Sequence, residues 1–448
     1  MKSKKYSKLI VFLGNIQVQM YLISILTFLL QLRDFQGEDI VNARNNYLSG
    51  AKTDFWGGAS TLIYSHVPSI GMKWQIWLAL AQVIFTVTGL RSFFKSNPRK
   101  KSFHIASLVV IYSALVLGSQ MTRDGLLLSL LILGFGMLQL KPSRIAPRLL
   151  TLISVGILIT AMSIRPWMSL AVCPLLFYIL THQKMKLHVV VVAIVGLATM
   201  PALLDLGAAK TLSLKESYPQ QQVMMMDLAA THCYSNNENS TKVAKEGLSL
   251  FTSDPKYFDQ LCEIYRPDTW ESLTMAGHAA SKGLVTDFWL IEVGDSKKYE
   301  ELQSAWISLI ISDPISYFQN KILFVGKLII GSDSRKVSLL SGSSLVEKIE
   351  SVFKIPFEIA ITLHLYSILI CFVLLMILPF WRFWKEGREK LILDSLVISV
   401  VFSLVFWSWL SAIAYIGSNG RYTYSISILG LIIYLSHLNS SEETFHDE

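Results

Sequence analysis

The sequence predicts an all-α, polytopic membrane protein with about ten transmembrane helices and one mainly helical external insertion. Three observations carry this expectation. Apolar residues make up 52% of the 448-residue chain and charged residues only 16%, with a mean hydropathy of +0.45; soluble domains average about 25% charged residues. The apolar residues are gathered into long runs separated by short polar turns. The basic residues cluster between those runs: Lys2, Lys4, Lys5 and Lys8; Arg91, Lys95, Arg99, Lys100 and Lys101; Lys141, Arg144 and Arg148; Lys184 and Lys186; and Arg382, Lys385, Arg388 and Lys390. That is the positive-inside pattern of cytoplasmic loops. The net charge of +8 therefore reports topology, and no nucleic-acid partner is implied.

Taken in order, residues 9–31 are the first span, entered from a basic cytoplasmic lead. No small-residue cleavage site follows, so the segment reads as a retained span and not a signal peptide. The loop 33–71 is external, polar and charged, and holds Glu38, Asp39, Arg44, Asp54 and His66 beside hydrocarbon. Charge kept against a membrane face is costly, which makes this loop a first candidate for a site. Residues 73–90 return inward and 103–120 go out. The short turn Met121-Thr122-Arg123-Asp124-Gly125 sends 126–140 back in. Residues 149–164 go out, Arg165-Pro166 turns the chain, 167–181 come in, and 188–205 go out again. The membrane domain 1–205 thus holds about seven spans.

From 206 to 356 the composition changes: charged residues, Asn and Ser become common, and no apolar run is long enough to span. This stretch is of domain size and, by parity, external. Residues 320–331 are apolar but carry Lys321 and Lys327, and they read as an interfacial helix on the outer leaflet; a crossing there would invert everything after it. The C-terminal membrane domain 357–448 supplies three spans (357–380, 391–413 and 423–438) and a cytoplasmic tail. Both termini are then cytoplasmic, in what reads as a bacterial cytoplasmic (inner) membrane.

Of four cysteines, Cys173 and Cys371 lie in apolar runs and read as small hydrophobes. Cys233 and Cys262 share the polar insertion and can pair if it faces an oxidising compartment, although spacing alone does not establish proximity. No metal-ligand spacing occurs. Met224, Met225 and Met226 read as core packing, with a lipid groove as the other option.

Charged groups at span ends converge on one face: Glu38 and Asp39, Arg123 and Asp124, Arg165, and Arg421 with Tyr422. A carboxylate can activate a hydroxyl, and arginines can hold a phosphate through paired hydrogen bonds. Simpler roles compete at each position. Asp39 can cap the helix that follows, Arg123 and Arg165 can snorkel to headgroups, Asp124 can pair only with Arg123, and His66 can be an ordinary loop residue.

Several short segments, in this order, resemble the GT-C class of integral membrane glycosyltransferases. They are Gly37-Glu38-Asp39-Ile40 after the first span, Ser65-His66-Val67-Pro68-Ser69 before the second, the Thr122-Arg123-Asp124-Gly125 turn, Ser312-Asp313-Pro314 with Tyr317, and Gly420-Arg421-Tyr422. The resemblance implies a GT-C-like fold and sugar transfer from a polyprenyl-phosphate donor to an envelope glycan or lipid acceptor. It implies Asp39 as base, with Glu38 its alternative, and Asp124 as a second acid near the acceptor or a divalent cation. Arg123, Arg165, Arg421, Tyr422 and His66 would line the substrate. The large insertion between spans departs from the pattern of many members. It keeps open a second reading, a surface-polysaccharide polymerase of the O-antigen type. A transporter ranks lower, because Asp394 is the one carboxylate read as lying well inside a span.

Overall fold

The computed structural model describes residues 14–31, 38–50, 52–54, 57–95, 101–119, 122–140, 147–183, 185–252, 255–266, 273, 291–330, 399, 403, 425 and 428–436. Regular structure among the described residues is helical, and the only β-type pairing is an isolated parallel bridge between Thr53 and Lys215. The expected spans 357–380 and 391–413 lie outside the described residues apart from single helical positions. The expected span 423–438 is represented by the helical stretch 428–436.

The first part of the chain supplies α1 (Ile16–Gln31), α2 (Glu38–Leu48), α3 (Gly58–His66), α4 (Trp74–Phe93), α5 (Lys101–Ser119), α6 (Arg123–Leu138) and α7 (Pro147–Ser163). A 3₁₀ turn at Pro166–Met168 leads into α8 (Ser169–His182) and α9 (Leu187–Thr211). By length and composition α4 and α9 can cross a membrane, while α1, α5, α7 and α8 carry shorter apolar stretches. Helix α6 is the axis of the bundle. It is apolar all round after its first turn, and every residue from Asp124 to Gly136 is buried, as expected of a helix enclosed on all sides.

Glycine sets the closest contact. A Cβ on Gly89 would lie 2.3 Å from the carbonyl oxygen of Ile132, and one on Gly136 would lie 2.5 Å from that of Gly89. The backbones of α4 and α6 therefore touch at Gly89 and Gly136, where small residues let two helices approach closely.

Polar contacts tie the bundle at one end. Gln17 Nε2 donates to the Lys95 carbonyl at 3.0 Å, Lys95 Nζ to that of Gln139 at 3.3 Å, and Ser436 Oγ to that of Phe93 at 3.1 Å. Gln183 Nε2 donates to the Leu138 carbonyl at the same end. Because successive helices alternate in direction, the turns at 119–124, 164–166 and 211–217 collect at the opposite end. Helix α9 runs past the boundary read at residue 205 and ends at Thr211. Asp205 does not stop it, because its carboxylate finds a partner outside the helix.

Residues 212–220 lead into a second unit: α10 (Gln221–Tyr234), α11 (Glu238–Leu248), α12 (Pro255–Ile264), α13 (Ser296–Ser312) and α14 (Pro314–Ile330). These pack around their own core, with Leu228, Leu248, Leu261, Leu302 and Leu309 buried, and Met224, Met225 and Met226 lie in it. A disulfide joins Cys233 to Cys262, tying α10 to α12. Side chains cap the helices: Asn237 accepts from the Asn239 and Ser240 amides at the start of α11, and Asp295 accepts from the Lys298 amide at the start of α13. Asp313 caps α14, with Pro314 in the first position, where its missing N–H costs nothing. Helix α14 thus begins before the segment 320–331 read from sequence, and Lys321 points into the domain.

Candidate functional site

Two turns build the centre of the far end. Thr122, in an extended conformation, accepts from the Gly125 amide at 3.0 Å and caps α6. This places Asp124 in the first turn, where the helix dipole favours a negative charge. Arg165 precedes Pro166, and a residue before proline is pushed out of the α region; its φ of −143° and ψ of 75° end α7. The two turns meet. Arg165 Nε donates to Asp124 Oδ1 at 2.7 Å, and Arg165 Nη2 donates to Oδ2 at 3.1 Å. Arg165 is 2% exposed and Asp124 3%. Arg165 therefore does not snorkel to the bundle surface, and Asp124 pairs across 41 positions of sequence with Arg165. A buried pair of this kind repays its desolvation only with such two-point geometry.

The loop between α1 and α4 is clamped onto this end. Arg44 Nη1 donates to the carbonyls of Tyr64 (2.5 Å) and Val67 (3.1 Å), and its guanidinium lies over the Trp74 ring. That arginine closes the C-terminal end of α3. At the other end of α3, Asp205 Oδ1 accepts from the Ala59 amide at 2.8 Å, so a carboxylate from α9 caps a helix of the loop. A Cβ on Gly58 would lie 2.3 Å from both the Ala209 nitrogen and the Asp205 carbonyl oxygen. Only glycine permits this approach. Gly57 has φ 83°, in the left-handed region, and its amide donates to the Asp54 carbonyl. Asp54 Oδ1 accepts from the Ser217 amide at 2.8 Å and the Ser217 hydroxyl at 2.6 Å, fixing the loop to the start of the second unit. Asp205 feels the opposite charge of Arg123 and the like charge of Asp54. Asp205, Asp54 and Arg123 thus share one electrostatic neighbourhood, and Arg123 adjoins Asp124 of the buried pair in the chain.

The residues singled out from sequence fall into three groups. Arg123, Asp124 and Arg165 come together. Glu38 and Asp39 open α2, where acidic residues suit a helix N-terminus; their side chains lie outside the described residues, as do Arg421 and Tyr422. His66 is exposed at the end of α3, with Nδ1 2.9 Å from the Leu62 carbonyl oxygen and 2.9 Å from Ser65 Oγ. It stays with its own helix. Asp205 is absent from that set because it closes the apolar run 188–205, yet α9 continues through it to Thr211. A carboxylate so close to an apolar run was the available signal. Among the described residues no group of three or more His, Cys, Asp or Glu side chains can hold a metal ion.

A second buried charge cluster lies in the α10–α14 unit. Lys321 Nζ is 2.8 Å from Asp227 Oδ1, and Trp306 Nε1 donates to Asp227 Oδ2 at 2.9 Å. Lys321 also lies over the Tyr317 ring, whose hydroxyl is pushed well above its ordinary range by burial and then by Asp227. This cluster locks α14 to α10 and α13.

Comparison with known proteins finds no matching family model, no matching curated protein and no matching solved structure.

Proposed function

We propose that the chain is a multi-pass membrane glycosyltransferase that moves a sugar from a polyprenyl-phosphate donor to a glycan or lipid of the cell envelope. The reading rests on Arg165 held two-point by Asp124 at one end of an apolar bundle, with Arg123 and Asp205 beside it. Such an arrangement sets guanidinium groups rigidly near the membrane surface, where a lipid phosphate would sit, and keeps a carboxylate within the same field. Arg123 is the phosphate-facing cation in this scheme, and Arg165 positions the turn beside it. Asp39 or Glu38, carried on the clamped loop, supplies the base, and Arg421 with Tyr422 completes the donor site.

Two observations support the orientation and the membrane setting. Disulfides persist in oxidising compartments. The Cys233–Cys262 bond lies in the unit joined by residues 212–220 to the Asp205 end of α9, so that end faces outward and Arg91 and Lys95 face the cytoplasm. Large apolar side chains also stand exposed along α1 (Leu22, Ile25, Leu29), α7 (Leu152) and α9 (Val192, Val195, Leu203). A bilayer covers such surfaces where water would not. The ten-span count with both termini inside belongs to this reading.

The polymerase reading draws on the large disulfide-tied domain between spans. Glycan analysis of a deletion strain separates the two. Loss of one side-branch sugar supports transfer, and single repeats without chain growth support polymerisation. An unchanged envelope with normal accumulation of the protein in the parent strain removes both.

A further inference from the structure

Helices α13 and α14 carry an exposed apolar stripe that no neighbouring element covers among the described residues. Ile307, Ile311, Ile315, Phe318, Ile322 and Leu323 recur at helical spacing across the Asp313 break, with Ile311 75%, Ile315 70% and Ile322 57% exposed. Between Glu301 and Lys327 the chain has two charged residues, Asp313 and Lys321. Both are used inward. Asp313 caps α14 and accepts from Ser235 Oγ at 2.5 Å, and Lys321 is buried against Asp227. The outward face is therefore uncharged. The Lys321–Asp227–Trp306 contact also sets the rotation of α14: with Tyr317 and Lys321 drawn inward, Phe318 and Ile322, about 100° further round the helix, are left exposed.

We infer that this stripe seats on the outer leaflet of the membrane that holds the bundle, with lipid acyl chains as its partner. The inference rests on the membrane part of the proposed function. Three features favour lipid over a protein partner. The unit enters from α9, whose own exposed residues are equally apolar. It leaves toward the apolar run 357–380, so it is tethered to the bilayer on both sides. The stripe from Ile307 to Leu323 also has no exposed charge along its length to specify a protein.

The test uses the full chain in phospholipid vesicles, with Cys173→Ser and Cys371→Ser and the native disulfide kept. Nitroxides are placed singly through Phe318→Cys, Ile322→Cys, Val192→Cys on α9 and Glu246→Cys on exposed α11. Collision with oxygen, which concentrates in lipid, is compared with collision with a water-soluble nickel chelate. Oxygen should dominate at 318, 322 and 192, and nickel at 246. Nickel dominating at 318 and 322 while oxygen dominates at 192 overturns this inference and leaves the membrane reading standing. Low access to both reagents with immobilised spectra at 318 and 322 means that residues 357–380 or a second copy covers the stripe, and overturns it too. Nickel dominating at 192 defeats the membrane reading itself, and this inference with it.

Discussion

Among the described residues the bundle and the α10–α14 unit each show a buried ion pair, and the two pairs are built differently. In the bundle a guanidinium meets Asp124 through two parallel hydrogen bonds, and further charges stand nearby: Arg123, Asp205 and Asp54. In the α10–α14 unit an ammonium meets one oxygen of Asp227, and the Trp306 indole occupies the other. Both carboxylate oxygens are occupied in each pair, but the second lies within one helical unit and joins α10, α13 and α14. The first lies where two inter-helix turns and a clamped loop meet. Burial of charge alone does not distinguish the two pairs; the proposed function rests on the place of the first at the end of the bundle, near other charges.

The strongest way to break this comparison is to remove one cation from each pair. Arg165→Met and Lys321→Met each leave a buried carboxylate uncompensated, at a cost of about 3–5 kcal/mol, read as lowered thermal stability in detergent. At a temperature where both variants remain folded, Arg165→Met should abolish the envelope modification and Lys321→Met should retain it. Equal loss in both would erase the distinction between site and scaffold.

Exchanging the cations sharpens the same point. Arg165→Lys keeps the charge and forfeits the two-point geometry, at about 1.5–3 kcal/mol, whereas Lys321→Arg is limited by space. Activity should fall with Arg165→Lys by more than its stability loss explains. Reduction of the Cys233–Cys262 bond, whose ends are 29 positions apart in sequence, should cost the α10–α14 unit about 3.5 kcal/mol. Limited proteolysis should then cut that unit first and spare the bundle.

Asp205→Asn weakens the cap of α3 by about 1 kcal/mol. It should expose the 38–72 loop to protease without unfolding either core; a loop cut no faster than in the parent would remove Asp205 as its clamp. The smallest effect concerns acid. Partial burial acts to raise the Asp313 carboxyl, but hydrogen bonds from Ser235, Ser316 and Ser240 outweigh it and hold the group below the usual carboxylate range. Its folded value lies below its unfolded value, so its stabilisation is present above the unfolded pKa, about 3.9. It is lost as pH falls from there through the folded value. Asp313→Asn should flatten that part of the acid-unfolding curve of the α10–α14 unit.

The helical class and the positions of the turns in the described bundle were legible because hydrophobic runs and their breaks are local. Thr122 and Pro166 announce the turns at which Asp124 and Arg165 sit, so both residues could be singled out. Their pairing could not. Adjacent sequence suggested Arg123 as the partner of Asp124, and only the packing of α6 against α7 brings Arg165 across.

By itself the sequence determined the helical class, a polar unit following the first apolar part and the positions where turns carry charge; of the roughly ten spans it predicts, two helices among the described residues, α4 and α9, have spanning length and composition. Tertiary structure alone decided the partners: Asp205 for the α3 amides, Arg165 for Asp124, Asp227 for Lys321. The physical reason is range. Helix formation follows hydrogen bonds four residues apart and an apolar face repeating at helical spacing, both visible in any short window. An ion pair depends on which helix ends meet once whole apolar faces have packed, and no short window of sequence holds that information.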